Sequence, residues 1–316
     1  MRHQPIDFSG VTTYPLAERK NKMTIEKDFA APVRGGMTVS ELLAAMPDQL
    51  GSRDLNAVIE AVVAARAKGK PVVMAMGAHV LKCGLQPVLK SLIEADVITA
   101  VALNGAGSIH DYEIALIGAT SEDVGAVLHC GTFGMAEETG RDINRALKAG
   151  VAHGLGYGEA VGRFIIDNNH PYREQSLLAA CVGRDIPVTV HVALGTDIIH
   201  QHPEADGAVI GEASFTDFKI FTGVVAELGD GGVYLNVGSA VLLPEVFLKA
   251  LSIAQNLGYH VDHFTTANFD MQQHYRPLQN VVKRPTSGKS RGYTITGHHE
   301  IMLPLLAAGI LDKIRE

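Results

Sequence analysis

Several features that would classify a chain at once are missing from this one. Among its 316 residues are three cysteines, Cys83, Cys130 and Cys181, with no CxxC spacing. Neither a disulfide framework nor a thiolate zinc site is therefore expected, and a reducing, cytoplasmic setting is. No apolar run reaches membrane-spanning length, and the polar N-terminal stretch MRHQPIDFSGVTTYPLAERKNK lacks the apolar centre of a secretory signal. Charged residues make up 19 % of the chain, and their balance is acidic, a formal −7, with no basic tail. Nucleic acid and anionic membrane are excluded as main partners, because both demand cations to neutralise phosphate. There is no fixed-period repeat and no low-complexity tract.

What is present is a 47 % hydrophobic chain, enough for a large buried core. Residues 1–36 carry mixed charge, three prolines and the pair Gly35-Gly36, and read as an arm that orders only by lying on the domain or on another subunit. Residues 37–316 read as a single α/β domain. Thr38-Val39-Ser40-Glu41 opens a short helix, and Leu55, Val58, Ile59, Val62 and Val63 recur at helical spacing up to Lys68-Gly69. Short β-rich runs then alternate with helical ones: Val72–Met76, Val97–Leu103, Val188–Ala193, Val233–Val237, His260–Thr266 and Tyr293–Thr296 as strands. Leu85–Ala95, Ile109–Gly118, Pro244–Leu257 and His299–Lys313 read as helices, and the block 119–184 is almost wholly helical in pattern. Such alternation needs right-handed crossovers and predicts a Rossmann-like parallel sheet with helices on both faces.

In an open parallel sheet, ligands sit beyond the carboxyl ends of the strands, so the residues that follow each strand are the candidates. They are Gly77-Ala78-His79, Asn104-Gly105-Ala106-Gly107, Leu194-Gly195-Thr196-Asp197, Gly238-Ser239, Thr266-Ala267-Asn268 and Gly297-His298; five of these six loops hold glycine. Gly105 and Gly107 let a phosphate or ribose approach the backbone, and the helix that follows offers free N–H groups to an anion, although an ordinary β-to-α turn has the same composition. Asp111 and Asp197 stand just past strand ends, where an acid takes ribose hydroxyls or a substrate ammonium, or else caps a helix.

Other motifs fail on context. Gly154-Leu155-Gly156-Tyr157-Gly158 has the glycines of a dinucleotide fingerprint but follows a helical segment, so it reads as a helix-to-helix turn. Ser287-Gly288-Lys289-Ser290 lacks the earlier glycine of a phosphate loop. The surrounding run from Lys283 to Arg291 holds four cations in nine residues. It reads either as a solvated loop or as a lid for an anionic ligand. His200-Gln201-His202 and His298-His299-Glu300 have no third ligand at metal spacing, so no metal is expected.

The segment VVMAMGAHVLKCGLQPVLKSLIEADVITAVALNGAGSIHDYE resembles the part of deoxyhypusine synthases in which a polar loop precedes a helix and a second strand ends in a glycine loop before acids. DIPVTVHVALGTDIIHQHP, VYLNVGSAVLLPEVF and GYTITGHHEIMLPLLAA resemble further blocks of that family in the same order, so the likeness runs over roughly residues 70–312. It implies an NAD-binding α/β fold and a homotetramer with sites between subunits, in which NAD oxidises an amine so that an aminobutyl group passes through imines. It also implies that Gly77, His79, Asn104, Gly105, Ala106, Gly107, Gly238, Ser239, Thr266, Ala267, Gly297 and His298 line the dinucleotide, that Asp111 holds the adenosine ribose, and that Asp197 stands near the substrate or nicotinamide. His79 and Lys82 replace uncharged residues beside the cofactor, and a lysine there favours the extra phosphate of NADP.

The chain also departs from that family. It has no tryptophan, whereas the family's nucleophilic lysine lies in Ser-Trp-Gly-Lys; YRPLQNVVKRP puts Pro285 at that place and Lys283 two residues away. Gln279 and Leu243 stand where the family has an acid and a histidine for spermidine. The expectation is therefore an NAD(P)-dependent enzyme on the same fold, oxidising a small amine or amino acid at carbon–nitrogen. Asp197 and His200 would be its acid/base groups and Lys283 an imine-forming amine. The alternatives are a true deoxyhypusine or homospermidine synthase with a shifted lysine, and a non-catalytic dinucleotide sensor or scaffold.

Overall fold

The structure, a computed structural model, describes residues 3–315. A 3-10 turn at Leu16–Glu18 and the single turn α1 (Ile25–Asp28) interrupt an otherwise extended arm. Then follow α2 (Val39–Ala45), α3 (Leu50–Ala67), β1 (Val72–Met76), α4 (His79–Lys82), α5 (Gln86–Glu94), β2 (Ala100–Asn104) and α6 (Gly105–Ile117). A helical block comes next: α7 (Val124–Val127), α8 (Glu137–Val151), α9 (Tyr157–Asp167) and α10 (Leu177–Gly183). The second half runs β3 (Val188–His191), α11 (Gly207–Ala226), β4 (Val233–Val237), α12 (Leu242–Asn256), β5 (Thr265–Asp270), α13 (Tyr275–Pro277), β6 (Arg291–Thr296) and α14 (His299–Lys313).

The six strands form one sheet in the order β3-β2-β1-β4-β5-β6, every pairing parallel, as the alternating pattern predicts. This is the doubly wound order in which the chain starts at the centre, grows to one side, then returns to β4 and grows to the other. Successive side chains of a strand leave by opposite faces. From β1, Val72, Met74 and Met76 enter a core built with α3, α5, α6, α8, α9, α10 and α14, while Val73 and Ala75 enter a second core under α11 and α12. Tyr234 and Phe247 stack in that second core with ring centroids 3.9 Å apart. Every β1 side chain is buried on both faces, which is why the strand reads as an unbroken apolar run instead of an alternating one.

Local signals set several boundaries. Thr38 accepts from the Glu41 N–H while Glu41 accepts from the Thr38 N–H, a capping box that starts α2. The glycine triplet at 154–158 spans the turn from α8 to α9, as expected. Two of its members leave room for a buried acid: a Cβ on Gly156 would stand 1.8 Å from Asp217 Oδ1, and Gly158 N–H donates to Asp217 Oδ2 at 2.9 Å. β5 departs from expectation, running over Thr265–Asp270 instead of His260–Thr266. Its polar interior is satisfied sideways, with Asn236 Nδ2 of β4 donating to Asn268 Oδ1 at 2.7 Å and Asn268 Nδ2 to Gln273 at 2.7 Å, so residues that look like a turn sit inside a sheet. Helix α11 has no counterpart in the sequence reading. Among the described residues, no helix is long and apolar enough to cross a membrane.

Candidate functional site at the carboxyl edge of the sheet

Because all six strands run the same way, the loops after them gather along one edge. A Cβ on Gly77, after β1, would lie 2.2 Å from the carbonyl oxygen of Gly238, after β4, so these loops touch at the point where strand order reverses and only glycine fits. Gly238 N–H donates to Phe269 and Gly297 N–H to Asp270, which ties the loops of β4 and β6 to the end of β5. His79 and His299 face each other with ring centroids 5.9 Å apart. His298 starts α14 at the same edge, its ring 3.7 Å from Glu300.

On the β1–β2–β3 side the edge opens into a cavity of about 890 Å³, within the range of small-molecule and cofactor sites. One wall is helix α6. Ala106, Ile109, His110, Glu113, Leu116 and Ile117 line the space, the i, i+3, i+4 and i+7 positions of a single helical stripe. Lys82 from the end of α4 and Thr196, Asp197 and Ile198 from the loop after β3 complete the floor. Segment 119–136 closes over the top with Thr120, Glu122, Val124 and Phe133, and Glu138 and Thr139 enter from α8. Glu113, Glu122, Glu138 and Asp197 thus stand against the single cation of Lys82, which gives the space an acidic character.

Asp197 is the expected acid that the structure brings to this cavity. Its side chain fills the space a Cβ on Gly105 would take, 1.9 Å from Oδ2, so the glycine after β2 admits a carboxylate of the same chain. Asp197 is buried, its Oδ2 has no hydrogen-bond partner, and burial raises its pKa while His200 pulls it down. His200 Nδ1 accepts from the backbone N–H groups of Gly195 (3.1 Å) and Asp197 (3.2 Å), which places its proton on Nε2, a buried atom with no partner.

Other expected residues lie elsewhere. Asp111, expected on the adenosine ribose, is fully buried on the opposite face of α6 and accepts from Ser176 Oγ (2.5 Å), Leu177 N–H (2.7 Å) and Leu178 N–H (3.0 Å). It caps the start of α10, and burial drives its pKa up to about 6. Thr266 and Ala267, expected in a loop, are fully buried inside β5, where the Thr266 hydroxyl donates to Val281. Ser239 is at the edge, but its hydroxyl accepts from Leu243 N–H at the start of α12. Asn104 Oδ1 likewise accepts from Gly107 N–H as the N-cap of α6, so part of the proposed anion cradle is already satisfied.

Lys283, expected as an imine-forming amine, is exposed, and its surroundings lie at the other end of the sheet. Gly292, at the beginning of β6, packs against the Val282 carbonyl, and Ser290 accepts from the N–H of Phe264, just before β5. A six-residue strand spans about 20 Å, so neither Lys283 nor the cationic run to Arg291 reaches the cavity as a lid or an amine.

The edge fits a dinucleotide in two respects: Ala106 at the start of α6 lines the cavity, and Asp197 Oδ2, His200 Nε2 and His299 Nδ1 are buried polar atoms without a protein partner, the kind that a ligand or ordered water satisfies. Among the described residues, no group of three His, Cys, Asp or Glu side chains is placed to hold a metal ion. The sequence reading missed His110, Glu113, Thr120, Glu122, Glu138 and Thr139. The i, i+3 spacing of His110 and Glu113 was the available signal.

Compared by sequence, the chain matches no family model and no curated protein. Compared by structure, it resembles apo ArgZ, an arginine dihydrolase from the ornithine–ammonia cycle in cyanobacteria, at TM-score 0.53 and 15 % identity, over 83 % of this chain and 33 % of that one. It also resembles AgrE in its ternary complex with ornithine and NAD+, at TM-score 0.50 and 17 % identity, over 85 % and 35 %. The chain spans about a third of the length of these two proteins. A protein assigned as a deoxyhypusine synthase from Entamoeba histolytica aligns at TM-score 0.48 and 9 % identity over 88 % and 94 %, too loosely to argue from. At such identities the likeness is one of fold alone: a six-stranded parallel sheet between helical layers.

Proposed function

We propose that this chain is an enzyme dependent on an NAD-type dinucleotide, oxidising a small amine or amino acid at a carbon–nitrogen bond. The observation that carries the reading is the acidic cavity at the carboxyl edge, with Glu113, Glu122, Glu138 and Asp197 set against Lys82. A cationic amine is favoured by the local field beside these carboxylates. The solved structure of AgrE with ornithine and NAD+ supports the pairing of a basic amino acid with NAD on a related fold. The dinucleotide, when bound, would accept a hydride from the carbon that bears the nitrogen. Asp197, buried beside Gly105 with one free oxygen, would hold the ammonium group, and Gly77, His79, Lys82, Ala106, Gly238, Gly297 and His298 would lie along the dinucleotide. Lys82 at the cavity suits the additional phosphate of NADP as well as NAD.

Aminoalkyl transfer through Lys283 is disfavoured, since that amine is at the amino edge. A homo-oligomer is part of the reading: Ile6, Phe8, Val11, Tyr14 and Leu16 on the arm and Leu128 beside the cavity expose most of their apolar surface, and such patches mark interfaces. Calorimetry with NAD and NADP tests binding, and reduced-nicotinamide absorbance on a panel of diamines and basic amino acids tests turnover. Binding with turnover is expected. Binding without turnover on any amine would indicate a sensor, no binding would end the dinucleotide reading, and diaminopropane from spermidine would restore the transferase one.

A further inference from the structure

Within the cavity, four side chains from α6, the covering segment and α8 form a chain of hydrogen bonds that no nucleotide-binding role requires. His110 Nδ1 lies 2.7 Å from Thr120 Oγ1, and Thr120 Oγ1 donates to Glu113 Oε2; Thr139 Oγ1 donates to Glu113 Oε1 at 3.1 Å. A carboxylate only accepts, and a threonine hydroxyl has one proton to give. Thr120 spends its proton on Glu113 and must accept from His110, which assigns the imidazole proton to Nδ1. Nε2 then carries the lone pair; it has no hydrogen-bond partner among the described residues and is not sealed from solvent on the cavity wall.

We propose that His110, held by Thr120 and Glu113, is the group that takes the proton from the substrate ammonium in this cavity, an inference that rests on the amine reading above. One N–H bond of the ammonium breaks and an Nε2–H bond forms. The substrate is left as a neutral amine with its nitrogen lone pair free, and the positive charge moves to the imidazolium. Glu113 stabilises that charge through Thr120, so Glu113 and Thr120 are positioning residues. A base of this kind must be neutral before it acts. Burial lowers the His110 pKa and Lys82 lowers it further, which keeps the imidazole unprotonated near neutral pH. The charged groups that share its cavity are Glu113 on its own helix, Lys82 on α4, Glu122 on the covering segment, Glu138 on α8 and Asp197 after β3.

The arrangement is tested by nitrogen NMR of His110 in the full chain. The wild type should show the Nδ1–H tautomer; Thr120→Val should shift it toward Nε2–H, and Thr120→Ser, which keeps the hydroxyl, should restore it. An Nε2–H tautomer in the wild type, or no response to Thr120→Val, overturns the relay whether or not any amine is turned over. In turnover with 1,4-diaminobutane or ornithine, His110→Gln should lower kcat roughly 100-fold or more with the calorimetric affinity for NAD unchanged, and Glu113→Gln should lower the kcat plateau and move the acid-side loss of kcat to lower pH. Undiminished kcat in His110→Gln overturns the assignment. Absence of NAD binding in the wild type counts against the dinucleotide reading and leaves the tautomer result to decide the relay.

Discussion

Two pairs of carboxylates behave in opposite ways in this molecule. Asp111 and Asp217 lie in the packed interior and accept from backbone N–H groups: Leu177 and Leu178 for Asp111, Gly158 and Val190 (2.6 Å) for Asp217, both on Oδ2, with Oδ1 buried and unpartnered. Glu113 and Asp197 border the cavity, one held by two threonine hydroxyls, the other with a free oxygen. Asp111 and Glu113 are two residues apart on α6, which turns them about 200° away from each other. An acid that backbone donors hold in the packed interior organises the fold, whereas an acid that borders the cavity without backbone donors remains available to a ligand.

The comparison can be broken most forcefully at Asp111. Asp111→Ala strands two buried N–H groups and a buried hydroxyl, and should cost about 3 kcal/mol in denaturant unfolding. Glu113→Gln should cost under about 1 kcal/mol and impair turnover instead. Equal losses of stability in the two variants would erase the distinction.

A pH titration of stability sharpens it. Burial pushes the Asp217 carboxyl up to about 8 from its ordinary value of 3.8. The folded chain then binds more protons than the unfolded one between those values, so this group's contribution is full below about pH 4, declines as pH rises and is gone above about 8. Asp217→Asn mimics the protonated acid, and its denaturation midpoint should stay flat where the wild type falls between pH 6 and 8. Parallel profiles would contradict the assignment. Asp197→Asn should move stability less and amine affinity more, read as a rise in KM. The smallest effect concerns the arm: removal of residues 1–24 takes away no buried side chain of the described residues, so the melting temperature should hold while sedimentation reports a smaller assembly.

What the sequence made legible follows the same division. β1, β4 and α14 could be read at their observed limits because mainly apolar runs mark them, with a glycine just after each strand and shortly before the helix. That the sheet is parallel follows from alternation and handedness; its strand order does not. β5 was misread because Thr-Thr-Ala-Asn has turn composition, and only the neighbouring Asn236 explains it. Proximity to a strand end brought Asp197 into view, but it also selected Asp111, since distance along the chain does not say which side of a helix a residue occupies. His110 and Glu113 depend on Thr120 and Thr139, ten and 26 residues onward in the respective bonds, and local spacing contains no trace of such partners. Lys283 lies away from the cavity for a related reason: the chain doubles back after β5, carrying it to the far edge.

The most direct test is a calorimetric titration of NAD into the wild type and Ala106→Trp, a substitution that fills the cavity from the stripe of α6 that lines it. Saturable binding in the wild type, abolished in Ala106→Trp with its melting temperature retained, is the expected result. No heat in the wild type, or the same binding by both proteins, would contradict the placement of a dinucleotide at this edge.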